Sequence, residues 1–374
     1  MHPSYELLAR CARVTANPEH YEQLARMAHK FSAWAEMSAQ AEAHGLGPLL
    51  YTHLQAIGMA LPRVVKRELQ GLYLRHRYAN QVRTRVLAEI LTAYQAAGIQ
   101  AFVLKGAALA HLIYPQPGLR PMRDIDILVK KSEAWPAQHL LADLGFEAPL
   151  PAGQTLPGKH LSAASRYIDG LSITVEIHHN LFNEDFPISM AVEDLSGTPL
   201  TFSINDLTTC TLGYEDMLWH LCQHFSLMGQ PLRLIWVADI AGFAERFAAE
   251  IDWARLERQY PLVLSTLSLL HFITPLSPAL LEQIPLKIGP APPGVGLEFQ
   301  GWPRSSLSAQ QFKGYRQILR DTFYPPEWWL RLYYGLGAVR SSFWYRWLIH
   351  PWRILSWAGQ VGRASASQRS PDQR

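Results

Sequence analysis

Two aspartates separated by a single residue form the first candidate site in this 374-residue chain. Asp124 and Asp126 lie in Arg123–Val129, where apolar residues alternate with other residues as in a β-strand. Because alternate side chains leave a strand on the same face, the two carboxylates would repel each other unless a cation lies between them. Oxygen ligands of this kind suit Mg²⁺ or Mn²⁺, which can also bind substrate phosphates. The pair therefore predicts a divalent-metal site.

A third carboxylate lies in another strand-like run. Glu176 and His178 share one face of Leu171–Asn180, opposite the apolar face of that run. If the two strands are neighbours in register, Glu176 points at the same site as the aspartates, whereas a slip of one residue turns it away. Three carboxylates on neighbouring strands are what two-metal phosphoryl transfer requires. We therefore predict Asp124, Asp126 and Glu176 as metal ligands and catalytic residues.

Basic and small residues near the aspartates could bind phosphate. Lys105-Gly106 follows a short apolar run and precedes two alanines, so backbone N–H groups at the start of the next helix could approach a phosphate while the Lys105 ammonium adds positive charge. A guanidinium can hold a triphosphate by two hydrogen bonds, although Arg120 and Arg123 could equally only balance the aspartates. The predicted cofactor-binding residues are Lys105, Gly106, Arg120 and Arg123.

Helical periodicity occupies both ends of the chain, and strand-like runs occupy its middle. The middle part predicts strand, helix, strand, helix and hairpin, with Ser132 as N-cap of the second helix and Asp169-Gly170 as a two-residue hairpin turn. Beyond Asn205 the pattern is helical again. We predict an N-terminal helical region at 1–98, a catalytic core at 99–205, a C-terminal helical domain at 206–358 and a disordered tail at 359–374.

Composition and charge exclude several classes of protein. With 48% hydrophobic and 17% charged residues the composition is that of a globular protein, and the net charge of +3 implies no general nucleic-acid surface. The three cysteines are far apart and odd in number, which argues against a disulfide framework or a zinc site. The N-terminus lacks the apolar run of a signal peptide, and no apolar stretch reaches the ~20 residues of a spanning helix. We expect a cytoplasmic protein.

Three stretches near the aspartates carry a resemblance to a known family, and three later stretches carry it more loosely. They are Phe102–Gly106, Tyr114-Pro115 and Leu119–Val129 and, more loosely, Val175–His178, Met217–His224 and Arg233–Ile240. Together they resemble the uncharacterised bacterial nucleotidyltransferase family of the polymerase-beta-like superfamily. The likeness includes the better part of the chain, and its first motif is the more specific.

The resemblance implies an α+β fold in which a polymerase-beta-like nucleotidyltransferase core with a small mixed sheet is flanked by helical regions. It also implies that Asp124, Asp126 and Glu176 hold Mg²⁺ or Mn²⁺ and that a nucleoside monophosphate passes from an NTP, with ATP as the expected nucleotide, to an acceptor hydroxyl. The acceptor could be a small molecule, a peptide or a protein. Other members have glycine-serine where this chain has Lys105-Gly106, so the phosphate contact must come from backbone N–H groups, Lys105 or Arg120.

Two other functions remain open at the level of sequence. A non-catalytic protein of the same fold could bind a nucleotide or a partner in the same pocket. A glycosyltransferase could hold its metal with a similar pair of aspartates, but such enzymes have a longer nucleotide-binding half ahead of the pair. That alternative also predicts a structure without the short helix after Gly106.

Four histidines and one aspartate have more than one interpretation. His178 could assist Glu176, whereas a packed or surface position is expected for His179. His220 and His224 are four apart on a helix and could bind a metal, but no third ligand has a suitable spacing, so structural roles are expected and a substrate-facing role is open. Asp239, within an apolar helix, is expected to pair with a basic or hydroxyl group of a neighbouring element.

The segment 324–357 holds six of the twelve tryptophans together with four arginines. Basic aromatic helices of this kind can lie on an anionic membrane surface or bind a partner. The same residues could instead cover the core or line an acceptor pocket. The expected location is therefore cytoplasmic, and peripheral to a membrane if this segment binds one.

Overall fold

The computed structural model describes residues 3–149, 156, 158–183, 189–227, 233–286, 288, 315–334, 336 and 341–356. In this part of the chain a six-stranded mixed β-sheet is preceded and followed by helices. The predicted α+β fold, with a small mixed sheet flanked by N-terminal and C-terminal helical regions, is confirmed. The predicted disordered tail at 359–374 lies outside the described residues, as do Arg340 and Trp357 of the tryptophan-rich segment.

The N-terminal part of the chain is helical, as predicted. Its longest helix, Arg63–Ala96, has 34 residues and stops where expected, because Gly98 adopts a left-handed φ of +73°. The buried face of this helix includes Leu87, Ile90 and Leu91. The five helices are α1 (Pro3–Arg10), α2 (Pro18–Lys30), α3 (Met37–His44), α4 (Gly47–Ala56) and α5 (Arg63–Ala96).

The sheet contains six strands, which are β1 (Phe102–Val103), β2 (Asp124–Leu128), β3 (Ala164–Ile168), β4 (Leu171–His178), β5 (Leu200–Ile204) and β6 (Leu207–Thr211). Their order across the sheet is β3-β4-β2-β1-β6-β5. β2 runs parallel to β4 and β1 runs parallel to β6, while the other neighbours are antiparallel. The strand with the predicted aspartates is therefore an interior strand with β4 at one side.

Alternating burial explains why β2 and β4 form where they do. Ile125 and Ile127 of β2 are buried, and so are the alternate residues Ile173, Val175 and Ile177 of β4. The apolar faces of both strands therefore turn into the same core, which leaves the carboxylates on the other face.

The hairpin that joins β3 to β4 has the predicted turn. Asp169 and Gly170 have φ values of +50° and +78°. Positive φ at both central residues is the requirement of the two-residue turn that matches the twist of antiparallel strands. Asp-Gly meets this requirement, and the predicted hairpin is confirmed.

Two helices lie between the strands, and the start of one differs from the prediction. They are α6 (Lys105–Leu112) and α7 (Ala134–Asp143). The prediction of Ser132 as the N-cap of α7 is wrong, because a 3₁₀ turn spans Lys131–Glu133 and α7 begins at Ala134 without a side-chain cap. Ser132 lies within this 3₁₀ turn instead.

The β5–β6 hairpin was not predicted. Its turn contains Asn205, which has a φ of +52°, and β6 pairs with β1 in the middle of the sheet. The boundary expected after residue 205 therefore falls inside this turn, and the strands on both sides of it belong to the sheet. Helical structure resumes only at Tyr214, and the division of the chain into domains stays a prediction.

The C-terminal part is helical within the described ranges, and none of the described helices has the length and apolar character needed to cross a membrane. Cys11, Cys210 and Cys222 are free thiols. The helices are α8 (Tyr214–Leu227), α9 (Leu234–Arg246), α10 (Trp253–Gln259), α11 (Pro261–Ile273), α12 (Pro278–Gln283), α13 (Tyr315–Phe323) and α14 (Glu327–Tyr333), followed by helical residues 343–356.

Candidate active site

Parallel pairing of β2 with β4 brings two of the three predicted carboxylates side by side. Asp126 lies opposite Glu176, and Leu128 lies opposite His178. Glu176 is therefore on the same face of the sheet as Asp126, in the register that the sequence analysis required. Ligand atoms of Asp126, Glu176 and His178 all lie within 4.8 Å of one another. These three residues form the centre of the candidate site.

Asp126 is buried and has two close donors. Its Oδ1 accepts hydrogen bonds from His178 Nε2 at 2.8 Å and from Lys105 Nζ at 3.0 Å. Burial would raise the pKa of Asp126, but the Lys105 charge and the His178 hydrogen bond outweigh burial and hold that pKa well below its usual value. Asp126 is therefore ionised at neutral pH.

Glu176 is ionised for a related reason. Its Oε2 lies 3.6 Å from His178 Nε2 and 3.9 Å from His160 Nε2. The contact with His178 lowers the pKa of Glu176, although burial and the charge of Asp126 act in the opposite direction. Because both carboxylates near His178 Nε2 are ionised acceptors, we assign the ring proton to Nε2. The other ring nitrogen, Nδ1, is buried and has no hydrogen-bond partner among the described residues.

Asp124 lies at the start of β2, opposite Thr174, and is outside this compact group. Loss of hydration, followed by the charge of Asp126, raises the pKa of Asp124, while Lys105 opposes the rise and Glu176 adds to it. Three carboxyl groups thus crowd one face of the sheet, and a divalent cation would relieve their repulsion. The donor set of Asp124, Asp126 and Glu176 consists of carboxylate oxygens and fits Mg²⁺ or Mn²⁺.

Lys105 and Gly106 begin α6 directly after β1. Lys105 has a φ of +43°, a conformation that lysine rarely adopts, and its ammonium contacts Asp126. A Cβ atom on Gly106 would lie 2.3 Å from Nη1 of Arg120, so the glycine leaves room for that guanidinium. Gly106 was predicted to take part in phosphate binding, and the space that it leaves for Arg120 was not predicted.

Arg120 is buried and faces Asp239 of α9. Its Nε and Nη2 donate to the two Asp239 oxygens at 3.2 and 2.5 Å, and Nη1 donates to the Pro121 carbonyl at 2.9 Å. The Tyr114 hydroxyl donates to the same carboxylate at 2.7 Å. The expectation that Asp239 pairs with a basic or hydroxyl group is confirmed for both kinds of partner. Three donors of Arg120 are thereby used, and its contact with phosphate stays a prediction.

A cavity of about 270 Å³ opens beside Asp124 and Asp126. It is lined by Arg123 and Arg233, and neither has a carboxylate within 4.0 Å in the part of the chain that the structure describes. Burial, followed by the charges of Arg123 and Arg120, lowers the pKa of Arg233. These guanidinium groups repel one another, so an anion would be stabilised between them.

Two helix N-termini add to this positive potential. The cavity is lined by Lys105 and Gly106 in the first turn of α6 and by Arg233 and Trp236 at the start of α9. Partial positive charge at a helix N-terminus favours a bound anion. The cavity lining therefore combines the carboxylates of Asp124 and Asp126 with an anion-binding wall that includes Lys105, Arg123 and Arg233.

Two histidines of α8 lie near the site. His224 lines the cavity and its ring meets Trp236 edge-on, with ring centroids 5.4 Å apart. His220 is buried, and neither of its ring nitrogens has a hydrogen-bond partner among the described residues. Burial, followed by the charge of Lys105, lowers the pKa of both histidines, so both are neutral at neutral pH. Among the described residues, His220 and His224 have no third metal ligand close enough to complete a metal site.

Arg233, Trp236 and His160 were not predicted as site residues. They come from two separate parts of the chain and approach the carboxylates only in the folded protein. The one local signal was an arginine directly ahead of the apolar helix α9, a position where a side chain can lie beside the free N–H groups of the helix.

Comparison with known proteins places the chain among nucleotidyltransferases. A family model described as "Uncharacterised nucleotidyltransferase" matches residues 32–273, which is more than half of the chain. None of the curated proteins compared with it matches.

Two solved structures are similar to the chain at low identity. One is an antigenic nucleotidyltransferase-like protein from Paracoccidioides brasiliensis, with 16% identity over 57% of this chain and 94% of that protein and a TM-score of 0.36. The other is the antibiotic-resistance factor ANT(2'')-Ia, with 14% identity over 48% of this chain and 98% of that protein and a TM-score of 0.30. The family match includes the whole sheet together with α8 and α9. The chain therefore belongs to the uncharacterised nucleotidyltransferase family.

Proposed function

We propose that this nucleotidyltransferase transfers a nucleoside monophosphate from an NTP, with ATP as the expected nucleotide, to a hydroxyl group of an acceptor and releases pyrophosphate. One observation carries the proposal. The ionised carboxylates of Asp126 and Glu176 lie side by side, and Asp126 also lines a cavity with uncompensated guanidinium groups. Carboxylates suit a divalent cation and guanidinium groups suit a triphosphate, and nucleotide transfer needs both.

Asp124, Asp126 and Glu176 are the proposed metal ligands. Mg²⁺ or Mn²⁺ held by them would neutralise charge on the triphosphate and favour ionisation of the acceptor hydroxyl. His178 contacts both Asp126 and Glu176 through Nε2 and so keeps the two carboxylates at a fixed separation. The two-metal form of this site is part of the proposal.

The proposed triphosphate contacts come from the basic wall of the cavity. Lys105 and Arg123 were predicted from the sequence, and Arg233 joins them because it lines the same cavity without a carboxylate partner among the described residues. Arg120 lies against Gly106 with its guanidinium fixed by Asp239, so it adds positive charge at a constant position. Binding by several fixed cations would orient the α-phosphate for attack.

In the proposed reaction the acceptor oxygen forms a bond to the α-phosphorus, and the bond between the α-phosphorus and the bridging oxygen of the β-phosphate breaks. Pyrophosphate leaves with the electron pair of that bond. The hydroxyl proton moves to a base. Glu176 is the proposed base, because it is ionised and remains partly exposed beside Asp126.

The two alternative functions have different support. The non-catalytic alternative is supported by Lys105, because its ammonium already compensates the negative charge of Asp126 without a metal. The glycosyltransferase alternative predicts that the short helix after Gly106 is missing, whereas α6 spans Lys105–Leu112. Nucleotide transfer and nucleotide binding without transfer are therefore the two functions to separate.

An acceptor screen separates them. NTPs labelled on the α-phosphate are incubated with Mg²⁺ or Mn²⁺ and with panels of hydroxyl compounds, peptides and proteins, and both label transfer and pyrophosphate release are measured. We expect transfer with the wild type that stops with a metal chelator and is absent with Asp126→Asn. NTP binding without pyrophosphate release across all panels would support the non-catalytic alternative.

The proposed partners are an NTP, an unidentified acceptor and, through the tryptophan-rich segment 324–357, a membrane surface or another protein. General nucleic-acid binding is not proposed. The cytoplasmic location stays a prediction, and fractionation of cells that produce the tagged protein would test it.

A further inference from the structure

The last described helix exposes an apolar face that is larger than the one it buries. Within residues 343–356, His350 and Ile354 are buried, whereas the aromatic and aliphatic residues on the other side are exposed. The exposed residues are Phe343, Trp344, Trp347, Leu348, Ile349, Trp352 and Leu355. Monomeric soluble proteins rarely expose a contiguous apolar patch of this kind without using it to bind something. We call these seven residues the tryptophan face.

Specific contacts hold this helix against the protein with its tryptophan face outward. His350 Nε2 donates to the Thr322 carbonyl at 2.8 Å, and its Nδ1 accepts from the Tyr334 hydroxyl at 2.9 Å. The guanidinium of Arg353 stacks on the Tyr333 ring, 5.3 Å from its centroid. These polar and stacking contacts fix the buried side of the helix, so the exposed side is a defined surface.

Charge is distributed unevenly along the chain in a way that favours an anionic partner. Residues 315–374 contain nine arginines and three acidic residues, so their net charge is +6. Because the net charge of the whole chain is +3, residues 1–314 have a net charge of −3. Arg346 lies on the helix itself beside the tryptophan face, with its guanidinium 5.9 Å from the centroid of the Trp347 ring. A second copy of the chain would bring two positively charged surfaces together, since a symmetric dimer uses the same patch on both subunits.

We propose that the tryptophan face binds the surface of an anionic lipid bilayer. Tryptophan is the residue type most suited to the boundary between headgroups and acyl chains, and arginine at the edge of an amphipathic helix attracts anionic headgroups. The helix would lie in the plane of the membrane with Trp344, Trp347 and Trp352 inserted. The proposal rests on a different surface from the candidate active site and does not depend on the proposed function.

Vesicle flotation and tryptophan emission test this proposal with the full-length protein. We expect the protein to bind vesicles of phosphatidylcholine mixed with phosphatidylglycerol, and we expect its tryptophan emission to shift to the blue on binding. High salt screens the contacts between arginine and anionic headgroups, so partitioning should weaken roughly fivefold for each contact that is screened. Vesicles of phosphatidylcholine alone should bind far less. Equal binding to both kinds of vesicle, or no binding to either, would overturn the proposal.

A matched pair of triple variants locates the contact. Trp344→Ser, Trp347→Ser and Trp352→Ser replace side chains that are 60%, 50% and 72% exposed, and the control Val64→Ser, Leu74→Ser and Tyr167→Ser replaces side chains that are 67%, 51% and 76% exposed. Only the first set should reduce partitioning, by at least about tenfold. Circular dichroism checks that both variants fold.

Two further results would contradict the proposal. If both triple variants lose vesicle binding equally, the contact is not at the tryptophan face. If the wild type forms a dimer in light scattering that the tryptophan variant abolishes, and the wild type fails to bind anionic vesicles, then a second copy is the partner.

Discussion

Two buried clusters of charge meet at the start of α6, and they differ in how well their charges are matched. In the first, which we call the Arg120 cluster, one guanidinium faces the single carboxylate of Asp239, which also accepts from Tyr114. In the second, the Asp126 cluster, two ionised carboxylates share one imidazole N–H, one ammonium contacts Asp126 alone, and a third carboxyl group lies beside them.

This difference separates packing from chemistry. The Arg120 cluster has as many positive as negative charges and several hydrogen bonds, and a pair of this kind is costly to break from one side. The Asp126 cluster keeps like charges close together and leaves Nδ1 of His178 buried without a partner among the described residues. Crowded and incompletely paired groups lower stability and are typical of sites that bind a ligand. Each cluster should therefore respond to mutation in a different measurement.

The largest expected effect is on catalysis, at Asp126. Asp126→Asn keeps the shape of the side chain and an oxygen that can accept from His178, but it removes the charge that a divalent cation needs. We expect nucleotide transfer to fall on the order of 10³-fold or more. The free energy of unfolding should fall by ~1–3 kcal/mol, because the low pKa of Asp126 means that Lys105 and His178 favour its charged form in the folded protein. Rate measurements and urea unfolding on the same preparation check both values. A variant that retains normal turnover would end the assignment of Asp126.

The next largest effect is on stability, at Asp239. Asp239→Asn leaves Arg120 buried opposite a neutral group, which should lower the free energy of unfolding by ~3–5 kcal/mol. Urea unfolding measures the change. The double variant Arg120→Met with Asp239→Leu removes both charges and should recover most of the loss. If the single variant is as stable as the wild type, the Arg120 cluster does not stabilise the fold.

Most of the Asp126 cluster could be predicted from the sequence. For the Arg120 cluster only the chemical type of the partner of Asp239 could be predicted, and not which residue it is. Alternation along β2 and β4 puts Asp126 and Glu176 on one face. The Asp-Gly turn sets the register of β4 against β3, whereas the register of β4 against β2 depends on long-range packing. No local pattern reveals that Arg120 faces Asp239, because the two residues are 119 positions apart. The general expectation of a partner for Asp239 followed from the cost of leaving a charge buried alone.

The missed parts of the fold have the same physical origin. The β5–β6 hairpin turns at Asn205-Asp206, which is a weaker signal than Asn-Gly or Asp-Gly, and its place beside β1 depends on a parallel pairing that no local period indicates. Arg233 likewise enters the site from a helix far along the chain. Local periodicity predicts which face a residue occupies, and long-range packing decides which residues meet.

A third prediction tests the anion-binding wall between the two clusters. Arg233→Ala removes a guanidinium that has no carboxylate partner in the described chain, so binding of an NTP or of inorganic pyrophosphate should weaken by roughly 10–100-fold. Isothermal titration measures both ligands. Arg246→Ala, at the other end of the same helix, is the matched control and should leave Kd unchanged. Equal effects of the two variants would remove Arg233 from the site.

The smallest expected effect is at Gly106, where the two clusters touch. A Cβ atom there would lie 2.3 Å from Nη1 and 2.7 Å from Cζ of Arg120. The guanidinium could move away only by disturbing its bonds to Asp239, so Gly106→Ala should cost ~1–2 kcal/mol of the free energy of unfolding, after the small gain from alanine in a helix. Gly71→Ala is the control, because a Cβ atom there meets nothing within 4 Å and should leave stability unchanged or slightly higher.

The cause of that cost can be checked by combining variants. If stability is lost because Asp239 holds Arg120 in place, then Gly106→Ala should cost less in a protein that already carries Asp239→Asn. The loss of the free energy of unfolding in the double variant should therefore be smaller than the sum of the two single losses by ~0.5 kcal/mol or more. Additive losses would mean that the alanine acts on some other contact of α6. Since Lys105 is the neighbour of Gly106 and contacts Asp126, a shift of α6 should also slow nucleotide transfer, whereas strain confined to Arg120 should not. Measurement of both the free energy of unfolding and the rate of nucleotide transfer therefore shows whether a change in one cluster disturbs the other.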